Sequence, residues 1–361
     1  MRIVWYSFHG RFSDNPRALY EALATRTDLE HVWLADPDHA DGFPAGAALV
    51  DVDSDAASRA LEEADLVVAN THVEIQWRKS PGTTYLQTWH GTPLKRVHRD
   101  ALWAPPGRLD RLDEDVAKWD LLLSPNATST QRLRQAFRYE GEVLEAGYPR
   151  NDLLLGPHLD EVRAEVRAEL GVRPESRLVL YVPTWRDDEV FVEDGDQVPM
   201  ALDPEDVLSH LPGDELVVRV HSMVTGRTAM QEAARVHDAS YYPDVRGLYA
   251  AADVLVTDYS SCMFDFAITG RPIVFYAYDL DAYGTSVRGF YGDLLAEAPG
   301  PVVRTEPELV EALRTLDDLR GKYAERYAAF RERYCSLEDG HAADRVLGRL
   351  GLLPEPAPQD A

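Results

Sequence analysis

The sequence predicts an α/β protein built from two Rossmann-like domains. Strand-like and helix-like segments alternate from the first residue onward, which is typical of βαβ units and a mostly parallel sheet. The alternation is interrupted once, at GYPRND (147–152), and then starts again. A length of 361 residues also suits two domains. We therefore expect an N-terminal domain over residues 1–150, a C-terminal domain over 151–352 and a disordered, Pro-rich tail over 353–361.

The first half contains the elements of one such domain. It begins with the strand-like MRIVWYSF and continues with a helix in DNPRALYEALATR, which Asp14 or Asn15 could cap and which has Pro16 in its first turn. Further strands are predicted in four apolar, β-branched or aromatic runs: EHVWLA, DLVVAN, TTYLQTW and DLLLS. An amphipathic helix, ATSTQRLRQAFR, follows the last of these runs and precedes EVLEAG.

The second half repeats the pattern after a polar, helix-prone stretch, LDEVRAEVRAELGV. Its strands are predicted in RLVLYVPTW, ELVVRVH, DVLVTDY and RPIVFYAY. Two later helix-like segments, 306–334 and 339–350, either cover the second domain or cross back to the first. If two such domains face each other, their strand ends and helix N-termini point into the cleft, which suits a diphosphate-linked ligand.

Composition excludes some classes of partner. Because 37 Lys and Arg oppose 62 Asp and Glu, the net charge is −25, whereas general nucleic-acid binding needs a basic surface. The two cysteines, Cys262 and Cys335, make neither a disulfide framework nor a CxxC zinc pair. The sequence shows no signal peptide and no apolar run near the ~18 residues of a membrane span. We expect a cytoplasmic protein that would meet a membrane-bound substrate at the membrane surface.

Two histidines stand at the ends of predicted strands. His90 follows TTYLQTW and precedes the turn residues Gly91 and Pro93. His221 ends ELVVRVH in the second half, with Arg219 two residues earlier on the same strand face. Ligands of open α/β sheets bind at such strand ends, where a histidine can exchange a proton with a hydroxyl or a phosphate. The alternative for each is a structural histidine.

The stretch DVLVTDYSSCMFDFAITGRPIVFY predicts a strand, a helix and a second strand. Asp258, Ser260 and Ser261 are good helix-capping residues. The free backbone N–H groups at the helix start, together with two hydroxyls, would hold a phosphate without a metal. Capping alone would explain the same residues. A further strand end, YVPTWRDD, supplies Thr184 and Arg186, and Arg186 could bind phosphate or pair with a neighbouring Asp.

Several stretches together resemble the CDP-glycerol glycerophosphotransferases of teichoic acid synthesis. They follow the family's order and rough spacing and cover most of the chain: FSDNPRALYEAL, QTWHGTPLK, GYPRND, LYVPTWRD, RVHSMV and DVLVTDYSSCMFDFAITGRPIVFY. The resemblance implies a GT-B-like fold in which two domains face each other across a cleft, with the nucleotide mainly in the C-terminal half. It also implies a transfer of glycerol phosphate from CDP-glycerol to an acceptor hydroxyl, releasing CMP, without a metal or cofactor.

The resemblance also implies roles for individual residues. The family's two catalytic histidines fall on His90 and His221, and we expect His90 to act as the general base. The substrate-binding positions fall on Arg150, Thr184, Arg186, Arg219, Asp258, Ser260, Ser261, Asp339 and Gly340. The implied acceptor is a lipid-linked or polymeric polyol phosphate. We therefore expect peripheral contact with the inner face of the cell membrane and no nucleic-acid partner.

Two departures from the family pattern leave alternatives open. Residues 339–342 read DGHA where the family often has Asp-Gly-Lys-Ala, and a neutral His341 would hold phosphate less firmly than lysine. The chain also starts directly at its first strand, whereas larger polymerases of the family carry an N-terminal membrane-targeting region. The open alternatives are a CDP-ribitol donor, a GT-B glycosyltransferase that uses a nucleotide sugar, and a non-catalytic protein that binds an anionic polymer. Addition of a single unit and polymerisation are equally open.

Overall fold

A computed structural model describes residues 1–102, 104–184, 186, 200–220, 233–283 and 289–353. The chain divides into two units. Unit 1 comprises residues 1–90, 106–153 and the segment from 337 onward, and unit 2 comprises 91–105 and 154–336. This division differs from the predicted domain ranges at two places, because 91–105 lies in unit 2 and the segment from 337 lies in unit 1. Residues 354–361 of the predicted tail lie outside the described residues.

Unit 1 is built on a parallel sheet of seven strands within the described residues. They are β1 Arg2–Tyr6, β2 Glu30–Ala35, β3 Ala48–Asp51, β4 Leu66–Ala69, β5 Thr84–Gln87, β6 Leu121–Ser124 and β7 Glu142–Glu145. Their order across the sheet is β3-β2-β1-β4-β5-β6-β7. This is the strand order of a Rossmann fold, whose switch point lies between β1 and β4.

Unit 2 is built on a second parallel sheet, with six strands in the described part of the chain. They are β8 Arg177–Val182, β9 Asp214–Val218, β10 Val236–Asp238, β11 Val254–Thr257, β12 Ile273–Tyr276 and β13 Val302–Val303. Their order is β10-β9-β8-β11-β12-β13. The same strand order therefore recurs, and the switch point of this sheet lies between β8 and β11.

Helices lie between most of the successive strands of both sheets in the described residues. In chain order they are α1 Asp14–Leu23, α2 Asp55–Glu62, α3 Arg108–Val116, α4 Ala127–Phe137, α5 Leu159–Glu169, α6 Pro204–Ser209, α7 Val245–Ala251, α8 Cys262–Ala267, α9 Leu280–Tyr283, α10 Leu294–Glu297, α11 Glu306–Arg314, α12 Leu316–Tyr334 and α13 Ala342–Arg349. Short 3-10 helices span Pro37–Gly42, His98–Asp100 and Pro149–Leu154. None of these helices is long and apolar enough to span a membrane.

The core of each unit explains why its strands read as continuous apolar runs. All residues of β4, β6, β11 and β12 are buried, since a parallel sheet is covered on both faces by its crossover helices. The predicted α/β class with two Rossmann-like domains is confirmed. The predicted cap of α1 is wrong, because Ser13 is the N-cap and both Asp14 and Asn15 are buried within the helix. The Asp14 side chain instead accepts a hydrogen bond from Arg150, and the Asn15 side chain donates one to the Trp89 carbonyl.

Candidate functional site

In unit 1, the strand ends beside the switch point converge on His90. The neighbouring strands β1, β4 and β5 end just before Phe8, Asn70 and His90 respectively. The His90 Nδ1 atom lies 2.5 Å from the carbonyl oxygen of Asn70. The ring of Phe8 meets the imidazole edge-on, with the two centroids 5.2 Å apart. His90 therefore lies at a strand end near the switch point of this unit, and its binding of a ligand stays a prediction.

The surroundings of His90 favour the neutral imidazole. Burial lowers its pKa below the ordinary value, and the hydrogen bond to Asn70 and the negative charge of Asp14 offset this only in part. In a neutral imidazole one nitrogen donates and the other accepts. Because Nδ1 faces a carbonyl oxygen, Nδ1 must carry the proton, and Nε2 keeps the lone pair. A histidine in this state can accept a proton from a substrate hydroxyl.

The residue before His90 has an unusual backbone. Trp89 has φ +52°, in the left-handed region that bulky residues rarely adopt. Its backbone N–H donates to the Gln87 side-chain oxygen at 2.9 Å. Its carbonyl accepts from Thr88 Oγ1 at 3.0 Å and from Asn15 Nδ2 at 3.2 Å. The indole ring stacks on the His90 imidazole, with centroids 4.2 Å apart. The strand end is therefore held by side chains as well as by the sheet.

Arg150, in the same unit, forms a buried ion pair with Asp14. Arg150 Nη1 donates to Asp14 Oδ2 at 2.7 Å, and the guanidinium lies 4.6 Å from the centre of the Tyr148 ring. The backbone N–H of Arg150 donates to Asn15 Oδ1 at 3.2 Å. Both Asp14 and Arg150 act electrostatically on His90, with opposite signs. Arg150, predicted as a phosphate contact, is thus joined to the His90 site through the start of α1.

In unit 2, the switch point is occupied by a buried cluster around Asp258. Asp258 follows β11, and its Oδ1 accepts from the backbone N–H of Thr184, which follows β8, at 2.8 Å. Its Oδ2 accepts from Arg186 Nη1 at 2.9 Å. Asp279 binds the same guanidinium through both of its oxygens, at 2.7 and 2.9 Å. Asp258 and Arg186 are 2% and 6% exposed, so both are parts of the wall rather than surface groups.

The hydroxyl groups of Thr184, Ser260 and Ser261 lie at the ends of the strands that form this cluster. The Thr184 hydroxyl is buried and has no hydrogen-bond partner in the described ranges. The Ser260 hydroxyl accepts from the backbone N–H of Cys262 at 3.4 Å, which makes it the side chain that caps α8. Ser261 is the N-cap residue by position, and its side chain makes no capping hydrogen bond. A Cβ atom added to Gly91 would lie 2.9 Å from Ser261 Oγ, so the Gly91 backbone approaches this hydroxyl closely.

Two predicted residues of unit 2 remain, Arg219 and His221. Arg219 Nη1 donates to the carbonyl oxygens of Ala239 and Tyr242, so this guanidinium joins two loops of its own unit. His221, the second predicted catalytic histidine, lies outside the described residues. Its role stays a prediction.

The predicted phosphate-binding turn at residues 339–342 forms the start of α13 in unit 1. Gly340 has φ +87°, and the Asp339 carboxylate accepts from Arg345 Nη1 at 2.8 Å through both oxygens. His341 lies beside Asp344, 3.2 Å from its carboxylate. The first two N–H groups of α13 donate to the carboxylate of Asp152 at 2.8 and 2.9 Å. An acid of the GYPRND stretch therefore already occupies the anion position of this helix.

Three side chains of these sites were missed by sequence reasoning: Asn15, Asn70 and Asp279. Asn15 was interpreted as a helix cap, and Asp279 lies in the loop after β12 with no neighbouring signal. Asn70 is the last residue of the predicted strand DLVVAN, and a polar residue at that strand end was the one available clue. Each gains its role from a partner at least 20 residues away in the chain.

A comparison with models of known protein families identifies the family of this chain. A model of the family described as CDP-Glycerol:Poly(glycerophosphate) glycerophosphotransferase matches residues 1–351. The chain belongs to this family. The resemblance inferred from the sequence is therefore confirmed, and the match to the glycerophosphotransferase family spans both units.

Individual relatives agree with the family match. The teichoic acid glycerol-phosphate transferase of Staphylococcus aureus is 38% identical over 355 residues, covering 95% of this chain and 91% of that protein. The teichoic acid poly(glycerol phosphate) polymerase of Staphylococcus epidermidis is 35% identical and covers 95% of this chain, but the chain spans only 49% of that longer protein. The solved structure of the wall teichoic acid polymerase TagF superposes with a TM-score of 0.89 and 34% identity, covering 97% of this chain and 88% of that one.

A ribitol-phosphate polymerase among the relatives has a lower sequence identity to this chain. A teichoic acid ribitol-phosphate polymerase of Staphylococcus aureus is 26% identical over 217 residues, which cover 58% of the chain. The glycerol-phosphate transferase of Staphylococcus aureus and the glycerol-phosphate polymerase of Staphylococcus epidermidis are more similar and match nearly the whole chain. The ribitol alternative therefore has less support than the glycerol one.

Proposed function

We propose that this protein transfers glycerol phosphate from CDP-glycerol to a hydroxyl group of a teichoic-acid-type polymer, releasing CMP. This is the reaction by which its family is named. The observation that carries the proposal is the state of His90. A neutral imidazole at the switch point of a Rossmann sheet, with Nδ1–H held by a carbonyl and Nε2 available, is equipped to activate a hydroxyl.

The proposed reaction is a single displacement. His90 Nε2 accepts the proton of the acceptor hydroxyl as its oxygen forms a bond to the β-phosphorus of CDP-glycerol. The bond between that phosphorus and the oxygen bridging to the α-phosphate breaks, and CMP leaves with the bonding electron pair. Positioning and electrostatic stabilisation supply most of the rate in phosphoryl transfer, so the protein needs to contribute few covalent steps.

The donor phosphates are assigned to the switch point of unit 2. The hydroxyls of Thr184, Ser260 and Ser261 supply hydrogen-bonding groups there. Because the Arg186 guanidinium is buried against Asp258 and Asp279, we assign it to holding this loop in place and not to direct phosphate contact. His221 is assigned to stabilising charge on the transferred group, and Asp339 and Gly340 to a further phosphate contact, on the family pattern alone.

The acceptor is assigned to the side of His90 and Arg150. Because the Arg150 guanidinium is buried against Asp14, we assign it, like Arg186, to holding its own segment in place and not to direct phosphate contact. We further propose that the acceptor is lipid-linked and that the protein reaches it by peripheral contact with the inner face of the membrane. Sedimentation with vesicles that contain the acceptor, compared with vesicles that lack it, tests this contact.

The activity is tested by CMP release from CDP-glycerol with a lipid-linked glycerol-phosphate acceptor analogue. CDP-ribitol and a UDP-sugar are run in parallel, each with and without EDTA. CMP from CDP-glycerol alone supports the proposal, and CMP from CDP-ribitol alone corrects the donor. UDP release would indicate a glycosyltransferase. Absence of turnover with all donors, while the polymer still binds, would favour the non-catalytic alternative.

The role of His90 is tested by its alanine variant. We expect kcat to fall by roughly 10²–10⁴-fold, the usual contribution of a general base. His158→Ala is the matched control, because His158 is an exposed histidine paired with Glu161 in unit 2. An unchanged kcat in His90→Ala would remove His90 from the mechanism.

A further inference from the structure

The stretch FSDNPRALYEAL matches the family but has no role in the mechanism so far. Its Asn15 is fully buried in the first turn of α1, at 0% exposure. We propose that Asn15 is a positioning residue for the transfer reaction, because its side-chain amide fixes the peptide bond that carries His90. This inference rests on the function proposed above for His90.

The Asn15 amide bridges the two segments that supply His90 and Arg150. Its Nδ2 donates to the Trp89 carbonyl at 3.2 Å, and this carbonyl belongs to the peptide bond between Trp89 and His90. Its Oδ1 accepts from the backbone N–H of Arg150 at 3.2 Å. One amide thus uses both its donor and its acceptor, and no other standard side chain of similar size offers both in this geometry.

The bridged peptide needs to be held from outside its own strand. A bulky residue at φ +52°, as at Trp89, persists only where the surroundings enforce it. Two of the groups that hold it, Gln87 and Thr88, come from the same strand end, and their side chains also bond to the backbone at or just after the end of the neighbouring strand β4. Asn15 comes from α1, which is 74 residues away in the chain. It therefore ties the Trp89 carbonyl to an element outside the pair of strands β4 and β5.

Rotation of this peptide would redirect the imidazole. The His90 backbone nitrogen is part of the Trp89–His90 peptide plane, so a turn of the plane moves the Nδ1–H donor away from the Asn70 carbonyl. The proton would then distribute over both ring nitrogens, and Nε2 would lose its fixed direction. Misplacement by about 1 Å costs on the order of 10²-fold in rate when geometry is what the enzyme supplies.

Two variants separate the parts of this role. Asn15→Ala removes both hydrogen bonds, and we expect kcat to fall about 100-fold with the KM for CDP-glycerol changed less than about threefold. Asn15→Asp keeps the acceptor for Arg150 but places a carboxylate against the Trp89 carbonyl. We expect a similar loss of kcat together with a shift of the acid limb of the kcat profile to higher pH.

The direction of that shift follows from the charges around His90. Asp14 raises the pKa of His90, whereas Arg150 and His72 lower it. A new carboxylate at position 15 adds to the effect of Asp14, so protonation of the base begins at a higher pH. Because any new negative charge at position 15 would act on His90, this shift tests the proximity of the two residues, and kcat per folded molecule in Asn15→Ala tests the positioning role.

Asn126→Ala is the control for a purely structural loss. Asn126 is another buried asparagine of unit 1, and its side chain accepts from the backbone N–H of Ser129 to cap α4. Loss of such a cap destabilises without touching Trp89, so we expect kcat per folded molecule to stay within about twofold of wild type.

A measurement that does not depend on turnover completes the test. Long-range ¹H–¹⁵N spectra of ¹⁵N-histidine-labelled protein, assigned with His90→Gln, report the tautomer of His90. We expect the Nδ1–H form in wild type and a mixture in Asn15→Ala. If wild type turns over no CDP-glycerol, the proposed function fails and the tautomer alone decides the positioning role. An unchanged tautomer, or an unchanged kcat in an active enzyme, would overturn that role.

Discussion

Replacing Asp258 with asparagine tests the interpretation of the switch-point cluster in unit 2. Asp258 accepts two hydrogen bonds from backbone N–H groups through one atom, Oδ1. The donors are Thr184 at 2.8 Å and Tyr259 at 2.5 Å. An asparagine keeps that oxygen and so keeps the turn. Its Nδ2 then faces Arg186 Nη1, donor against donor, where Oδ2 had accepted at 2.9 Å. The substitution therefore removes one ion pair selectively.

The expected cost follows from burial. Breaking a buried ion pair destabilises by about 3–5 kcal/mol, because a charge is left without compensation. Here Asp279 still binds the guanidinium through two hydrogen bonds, so we expect the lower end, about 3 kcal/mol. The Asp279 side chain is 22% exposed, and water can replace part of its contact. We expect Asp279→Asn to cost less, about 1–2 kcal/mol.

Hydrogen–deuterium exchange measures this locally, which matters because a protein of two units need not unfold in one step. A loss of about 3 kcal/mol corresponds to roughly 100-fold faster exchange, since about 1.4 kcal/mol is one factor of ten. The acceleration is expected in peptides covering 177–184 and 254–262. Asp281→Asn is the control, because Asp281 is 82% exposed and pairs with the exposed Arg304. Unchanged exchange in Asp258→Asn, or a larger effect in Asp279→Asn, would refute the reasoning.

Three further outcomes are expected. Because burial lowers the pKa of His90, the midpoint of the acid limb of kcat should lie below the ordinary histidine value of about 6.5; a midpoint above this value would contradict the lowered pKa. In Gly91→Ala the new Cβ would lie 2.9 Å from Ser261 Oγ, so hydrogen–deuterium exchange of peptides around residues 91 and 261 should show a local loss of about 1 kcal/mol that the added change Ser261→Gly reverses; additive losses would exclude the contact. In Gly10→Ala, with φ +97° and a Cβ 2.2 Å from the backbone nitrogen of Asp36, the backbone itself must move, and a loss of about 3 kcal/mol is expected in the same assay; a loss below about 1 kcal/mol would be inconsistent with this geometry.

Local patterns predicted most of the elements. EHVWLA forms the strand Glu30–Ala35 as read, and ATSTQRLRQAFR forms the helix Ala127–Phe137 with Asn126 as its cap. The short strands Val236–Asp238 and Val302–Val303 were not predicted, because they lie at sheet edges and carry no apolar run of useful length. Periodicity identifies elements only where several consecutive side chains are buried.

The sequence also located the strand ends that matter, since His90 and Asp258 both follow predicted strands beside a switch point. It could not assign the partners of the charged residues there. Arg186 was open between phosphate and a neighbouring Asp at 187 or 188; the structure pairs it with Asp258 and Asp279, which are 72 and 93 residues away. Such pairing depends on which strands become neighbours, and a single sequence does not state the strand order.

What the sequence determined by itself is thus the α/β class, the family and the position of His90 at the end of a strand. These are properties of short stretches, fixed by apolar patterning and turn residues. Tertiary structure alone decided that the segment from 337 returns to unit 1, that Asn15 holds the Trp89–His90 peptide and that Asn70 sets the tautomer of His90. The physical reason is that hydrogen bonds and burial depend on which residues become neighbours in space, and these neighbours are 20 to 190 residues apart in the chain.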